Sequence, residues 1–168
     1  MAATAGLKAK KILTPHDKEL GSLPFRLDVS YRIPLAEAVE LGRYELVDKA
    51  VFKLPLLGSK ETFVRCQAHL VNESGLTDGD ELEGRIHFLR HACIEELLAF
   101  GYHYPEAQRL FPIVAFGSTV RIGSQPGVRQ TPYLAGNAGE RRLCMGARDF
   151  AWSNAFCFLM IACQIVTE

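Results

Sequence analysis

Alternation of apolar and polar positions first becomes regular at residues 25–31 (FRLDVSY), where a period of two predicts a half-buried strand. Pro34 then precedes LAEAVELG, a short amphipathic helix with proline at its first turn and Gly42 placed to end it. Residues 44–47 read as a brief extended piece. Residues 51–57 are apolar, but Pro55 makes them an edge strand or an irregular segment. The clearest strand of this half is 61–71 (ETFVRCQAHLV), with Thr62, Val64, Cys66, Ala68 and Leu70 on the expected core face. Residues 72–75 break the pattern as a turn.

A second helix is predicted from Thr77 or Asp78, side chains that can cap free N–H groups, with Leu82, Ile86 and Leu89 forming one stripe. Residues 93–100 read as a third helix, with Leu97 and Leu98 inward and Gly101 as its stop. One further helical turn covers 105–109. Beyond Phe111 the period changes to that of strands, at 113–116, 119–122, 133–134, 142–145 and the apolar run 156–166. The run IEELLAFGYHYPEAQRLFPIVAFGS, residues 94–118, is the pivot between the two halves. The expected fold class is α+β: a single compact domain over 23–168, with two or three short helices on a small, mostly antiparallel sheet. Residues 1–22 read as a flexible lead-in.

The chain has 168 residues, enough to bury roughly 70% of its unfolded surface without a staple. Nineteen basic side chains balance nineteen acidic ones, so a chain-wide positive field is absent and nucleic acid is not an expected partner. Glu73, Asp78, Asp80, Glu81 and Glu83 form an acidic block, while Arg121, Arg129, Arg141, Arg142 and Arg148 make the last third basic. These read either as two solvated faces or as a basic patch for an anionic partner. The start, MAATAGLKAKKILTP, supplies no apolar signal core, and 156–166 is interrupted by Gln164 and too short to span a bilayer. A cytoplasmic protein with reduced thiols is the expectation, and five cysteines without a CxxC argue against a disulfide framework.

His87 and His91, four apart and followed by Cys93, would share a face if helical, but HFLRH lacks the glutamate of HExxH and a further ligand at finger-like spacing. No metal is expected. The glycines of GSTVRIGSQPG form neither a dinucleotide fingerprint nor a phosphate loop, and no GxSxG elbow is present, so no cofactor is expected. Cys66, Cys93, Cys144, Cys157 and Cys163 read as structural thiols, with Cys93 beside His91 the nearest to a reactive pair. The sole tryptophan, Trp152, lies in ARDFAWSNAF. Arg148, Asp149, Trp152, Ser153 and Asn154 have the composition of a recognition rim, with Arg141 and Arg142 adding positive charge. The competing reading is that Trp152 caps the core.

The order IEELLAFG, YPEAQRLFPIVAFGS, TPYLAG and FAWSNAFCFLMIAC resembles a group of uncharacterised bacterial proteins with the pattern LEELLALG, YPdLQreFPIvALGS, vPYL and a tryptophan-rich end closing on RFLAVR. The likeness covers about residues 80–163. It departs at the end, where Cys157 replaces the arginine and one tryptophan remains. That closing segment is similar to the end of C-type-lectin-like domains, including the formylglycine-generating-enzyme type and the variable proteins of diversity-generating systems. The resemblance implies a lectin-like α+β domain whose ligand contacts lie on the rim at Trp152. The expectation is thus a non-enzymatic binding or interaction module for a protein or small-molecule ligand. The alternatives are a small enzyme using Cys93 and a histidine, and an assembly protein pairing through its apolar final strand.

Overall fold

The computed structural model describes residues 11–13, 24–58, 63–72, 89–124, 127–149, 152–153 and 155–162. Within them lie β1 (Lys11–Leu13), β2 (Phe25–Val29), α1 (Leu35–Gly42), β3 (Leu46–Val47), a 3-10 helix (Lys49–Lys53), β4 (Val64–Asn72) and β5 (Leu89–His91). There follow α2 (Ile94–His103), the short α3 (Ala107–Leu110), β6 (Ile113–Val114), β7 (Val120–Ile122), β8 (Val128–Gly136), β9 (Arg141–Ala147) and β10 (Cys157–Ala162). The sheet runs β1-β4-β10-β6-β8-β9-β3, with β2 also on β4, β5 on β10 and β7 on β8. Only the pairings of β10 with β6 and of β3 with β9 are parallel. The α+β class and the mostly antiparallel character expected from sequence both hold. The sheet is larger than the small one expected.

The last apolar run occupies the middle of this sheet. β10 has β4 along one edge, and β6 followed by β5 along the other. Its side chains alternate between two cores: Cys157, Leu159 and Ile161 enter the larger, Phe158 and Met160 the smaller. A strand buried on both faces loses polar alternation, and that is why the sequence reads there as a continuous apolar run. Both edges of β10 are thus occupied over Cys157–Ala162, while residues 163–166 of the same run lie outside the described residues.

The larger core lies under α1 and α2. Phe25, Leu27 and Val29 of β2 enter it beside Cys66, Ala68 and Leu70 of β4, the face expected from alternation. Phe25 meets Phe100 edge-on at 5.1 Å between centroids. On the opposite face, Phe116, Trp152 and Phe158 close the smaller core with Val71 and Met160.

Several local expectations change. Lys11–Leu13, inside the stretch read as a lead-in, pairs antiparallel with β4. Leu89 begins a strand paired with β10, so it cannot belong to the helical stripe predicted with Leu82 and Ile86, which lie outside the described residues. Residues 49–53 form the 3-10 helix, capped by Asp48 accepting from the Ala50 N–H at 2.9 Å, and no edge strand forms there. Gly101 lies within α2 and does not stop it. A Cβ there would stand 2.2 Å from the Tyr44 hydroxyl, and one at Gly42 would stand 2.2 Å from the Tyr44 ring. Both glycines are there to admit that ring between the helix ends.

Candidate functional site

Two helical faces and the end of a strand leave a cavity of about 280 Å³. On α2 it is lined by Glu95, Leu98, Ala99 and Tyr102, spaced as one helical stripe. On α1 the facing positions are Leu35, Ala38 and Leu41. Ala38 and Ala99, the short side chains of the two stripes, both line it and also pack against the larger core. Asp28 and Ser30 at the end of β2 form one margin, and Leu56 and Phe63 another. Of the exposed large apolar side chains among the described residues, Leu41, Leu56, Phe63 and Tyr102 all border this cavity. A cluster of that kind marks an interaction surface in a way that scattered leucines do not.

The start of α2 carries two consecutive carboxylates, favoured there by the free N–H groups and positive end of the helix. Their fates differ. Glu96 is fully buried and accepts from the Cys93 N–H at 2.8 Å, the Tyr31 hydroxyl at 2.6 Å and both terminal nitrogens of Arg90. Burial opposes its ionisation, but Arg90, Tyr31 and the Cys93 N–H outweigh that and hold the carboxyl below its usual range. Burial, then the bond to Glu96, pushes the Tyr31 hydroxyl well above its ordinary value. Glu95 borders the cavity, 8% exposed; its Oε1 accepts from the Leu57 N–H at 2.6 Å. Its Oε2 has no hydrogen-bond partner among the described residues.

Cys93 caps α2, its sulfur accepting from a backbone N–H in a capping box with Glu96. Burial, then the charges of Glu96 and Glu95, pushes this thiol far above its normal value. A catalytic cysteine needs the reverse shift. His91 sits edge-on to Phe116, 5.3 Å between centroids, against the smaller core. Because Leu89–His91 is a strand, the same-face argument for His87 and His91 does not apply, and His87 lies outside the described residues. Among the described residues, no group of three or more His, Cys, Asp or Glu is arranged to hold a metal ion.

The residues expected to form a rim are dispersed. Trp152 is 3% exposed and packs edge-on against Phe116, Tyr133 and Phe156, its Nε1 donating to the Arg148 carbonyl at 3.4 Å. Arg148 is buried too, donating to the Phe116 carbonyl with its guanidinium 5.0 Å above that ring. Asp149 is exposed and paired with Arg129; Ser153 is exposed; Asn154 lies outside the described residues. Arg142 is exposed and paired with Glu140. Arg141 is buried elsewhere, donating to the carbonyls of Gly42 and Gly101, each at 2.6 Å, and to Gln108 Oε1. It satisfies carbonyls at the C-terminal ends of α1 and α2, which helices otherwise leave unpaired. Trp152 and Arg148 are thus buried with internal partners in the smaller core, whereas Arg141, bonded inside the fold, also lines an opening with Gly42, Glu45 and Arg109.

Sequence reasoning missed the cavity. Its one visible signal was Glu95, an acidic residue on the same helical stripe as Leu98, Ala99 and Tyr102. No family model matches this chain, and comparison with curated proteins and with solved structures finds no match. Among the described residues, no helix is long and apolar enough to cross a membrane.

Proposed function

We propose that this protein is a non-catalytic binding module whose cavity between α1, α2 and the end of β2 takes a small, mainly apolar ligand. The observation that carries this reading is that apolar stripes of α1 and α2, with the end of β2, line one open space bordered by exposed Leu41, Leu56, Phe63 and Tyr102. At about 280 Å³ the cavity sits just below the roughly 300–1,000 Å³ of clefts that hold drug-sized ligands, so the occupant is smaller than those. Apolar walls with few polar groups are the usual make-up of such sites. The neighbouring chemistry favours binding over turnover, since the nearest thiol, Cys93, is held protonated by burial and adjacent carboxylates.

A lectin-like use of the segment after β9 would draw on Asp149 and Ser153, without Trp152 or Arg148, whose burial removes most of that rim. The helix cavity is therefore the better-supported site. The test is titration of the full chain with 2-phenylethanol, an apolar probe of suitable size, followed by amide NMR, beside Ala99→Phe, which fills the gap. Saturable binding lost in a folded Ala99→Phe supports the reading. Failure of the wild-type protein to bind apolar probes of this size overturns it.

A further inference from the structure

The cavity has a polar feature that its apolar walls do not need. Glu95 is more than nine-tenths buried, borders the space, and spends only Oε1 on the Leu57 N–H. Oε2 is buried with no hydrogen-bond partner among the described residues, although the Cys93 thiol lies close enough to interact with the same carboxylate. A buried carboxylate oxygen without a donor is costly, and native structures rarely keep one without a use. The helix N-terminus favours the negative charge at this position but does not supply the missing donor.

The remaining polar groups around the space point the same way. Asp28 adds a second carboxylate, already engaged by Arg65 at 3.0 Å. Among the described lining residues there is no lysine or arginine, and His103 is the single basic group. A fatty acid or another anion would bring its charge against Glu95 with no lysine or arginine among the described lining residues to receive it. Tyr102, more than half exposed at the mouth, offers the ring face that attracts organic cations.

Resting on the binding-module reading above, we infer that the ligand is a small organic cation, an apolar body carrying a protonated amine that pairs with the Glu95 carboxylate at the cavity wall. At about 280 Å³ the cavity has room for a compact ligand below drug size. Phenylalkyl amines and branched alkyl amines have this size and shape. The amine pairs with that carboxylate, and the apolar body covers Leu98, Ala99 and the α1 stripe.

Three probes of the same shape test this on the full chain by calorimetry: 2-phenylethylamine, the neutral 2-phenylethanol and the anionic phenylacetate. The amine is expected to bind about tenfold or more tighter than the alcohol, the return on one charge-assisted hydrogen bond, and phenylacetate is expected to bind weakest. Glu95→Gln keeps an acceptor for Leu57 and should abolish the preference for amine over alcohol. Equal binding of amine and alcohol by the wild-type protein overturns the cation inference alone and leaves the cavity reading intact. No binding of any probe overturns both. Because the wild-type ranking is itself decisive, the test stands even if Glu95→Gln does not fold.

Discussion

Replacing Gly101 by alanine sets two effects of opposite sign against each other. Alanine inside a helix is favoured over glycine by about 0.5–1 kcal/mol, because glycine loses more backbone freedom on folding. Against that, the new Cβ would stand 2.2 Å from the Tyr44 hydroxyl and 3.0 Å from Leu134 Cδ1. Leu134 is fully buried, and Tyr44 lies under the Arg141 guanidinium, 5.0 Å from it, so neither neighbour has free space to retreat into. Overpacking of this kind costs about 1–3 kcal/mol, which exceeds the helix gain. The expected net loss is about 1–2 kcal/mol, a fall of roughly 2–8 °C in melting temperature for a chain of this size. Urea denaturation followed by circular dichroism measures it. The mechanism is checked by Tyr44→Phe, which removes the atom at 2.2 Å and leaves the ring carbon at 3.3 Å. That hydroxyl is buried without a hydrogen-bond partner among the described residues, so its removal should cost little. In the Tyr44→Phe background the Gly101→Ala penalty should shrink, with the Leu134 approach at 3.0 Å remaining. A stabilising Gly101→Ala in the native background, or the same penalty in both, would refute the account of this glycine.

Three further outcomes follow from the same geometry. Gly146→Ala puts a Cβ 2.7 Å from Trp152 Cη2, so it should cost about 1–3 kcal/mol and shift the emission of the only tryptophan towards the red; unchanged emission and stability would contradict the packing described. The Glu96 carboxyl titrates below its unfolded value of 4.5, so its contribution is complete above that pH and is lost as the pH falls through the folded value. Glu96→Gln should therefore be less stable at pH 7, by about 2–4 kcal/mol given that Arg90 is partly exposed, and should lose less on acidification; parallel stability profiles would argue against it. Burial raises Cys66 to about 11 and Cys93 further, so both should resist mild alkylation at pH 8 until the chain unfolds, and rapid labelling of native Cys93 would restore the reactive-thiol reading.

The parts of the fold legible in sequence are those whose period reports burial on one face. β2 and the expected core face of β4 alternate as read, and both amphipathic helices that pack on the larger core were visible. The extent of β8 and β9 was not, because Pro132 and the glycines at 136 and 146 interrupt the alternation while the hydrogen-bonded ladder continues past them. Gly101 looked like a helix stop because a glycine admitting a tyrosine ring and a glycine ending a helix have the same sequence signature. The rim at Trp152 failed for a related reason: an aromatic among polar residues describes a recognition loop and equally a loop folded over a second core. Arg141 and Arg148 read as free charge, since nothing local shows that carbonyls 32 to 99 residues away would occupy them. The cavity was illegible for a different reason. It is lined by residues of α1, α2 and the end of β2, a relation between elements that no one of them carries alone.

The most direct test of the central claim is an amide chemical-shift map of the uniformly labelled full chain during titration with 2-phenylethanol. The account predicts saturable shifts concentrated on residues 95–102 and 35–41, with residues 148–153 undisturbed. Shifts centred on Asp149 and Ser153, or none anywhere at probe saturation, would contradict it.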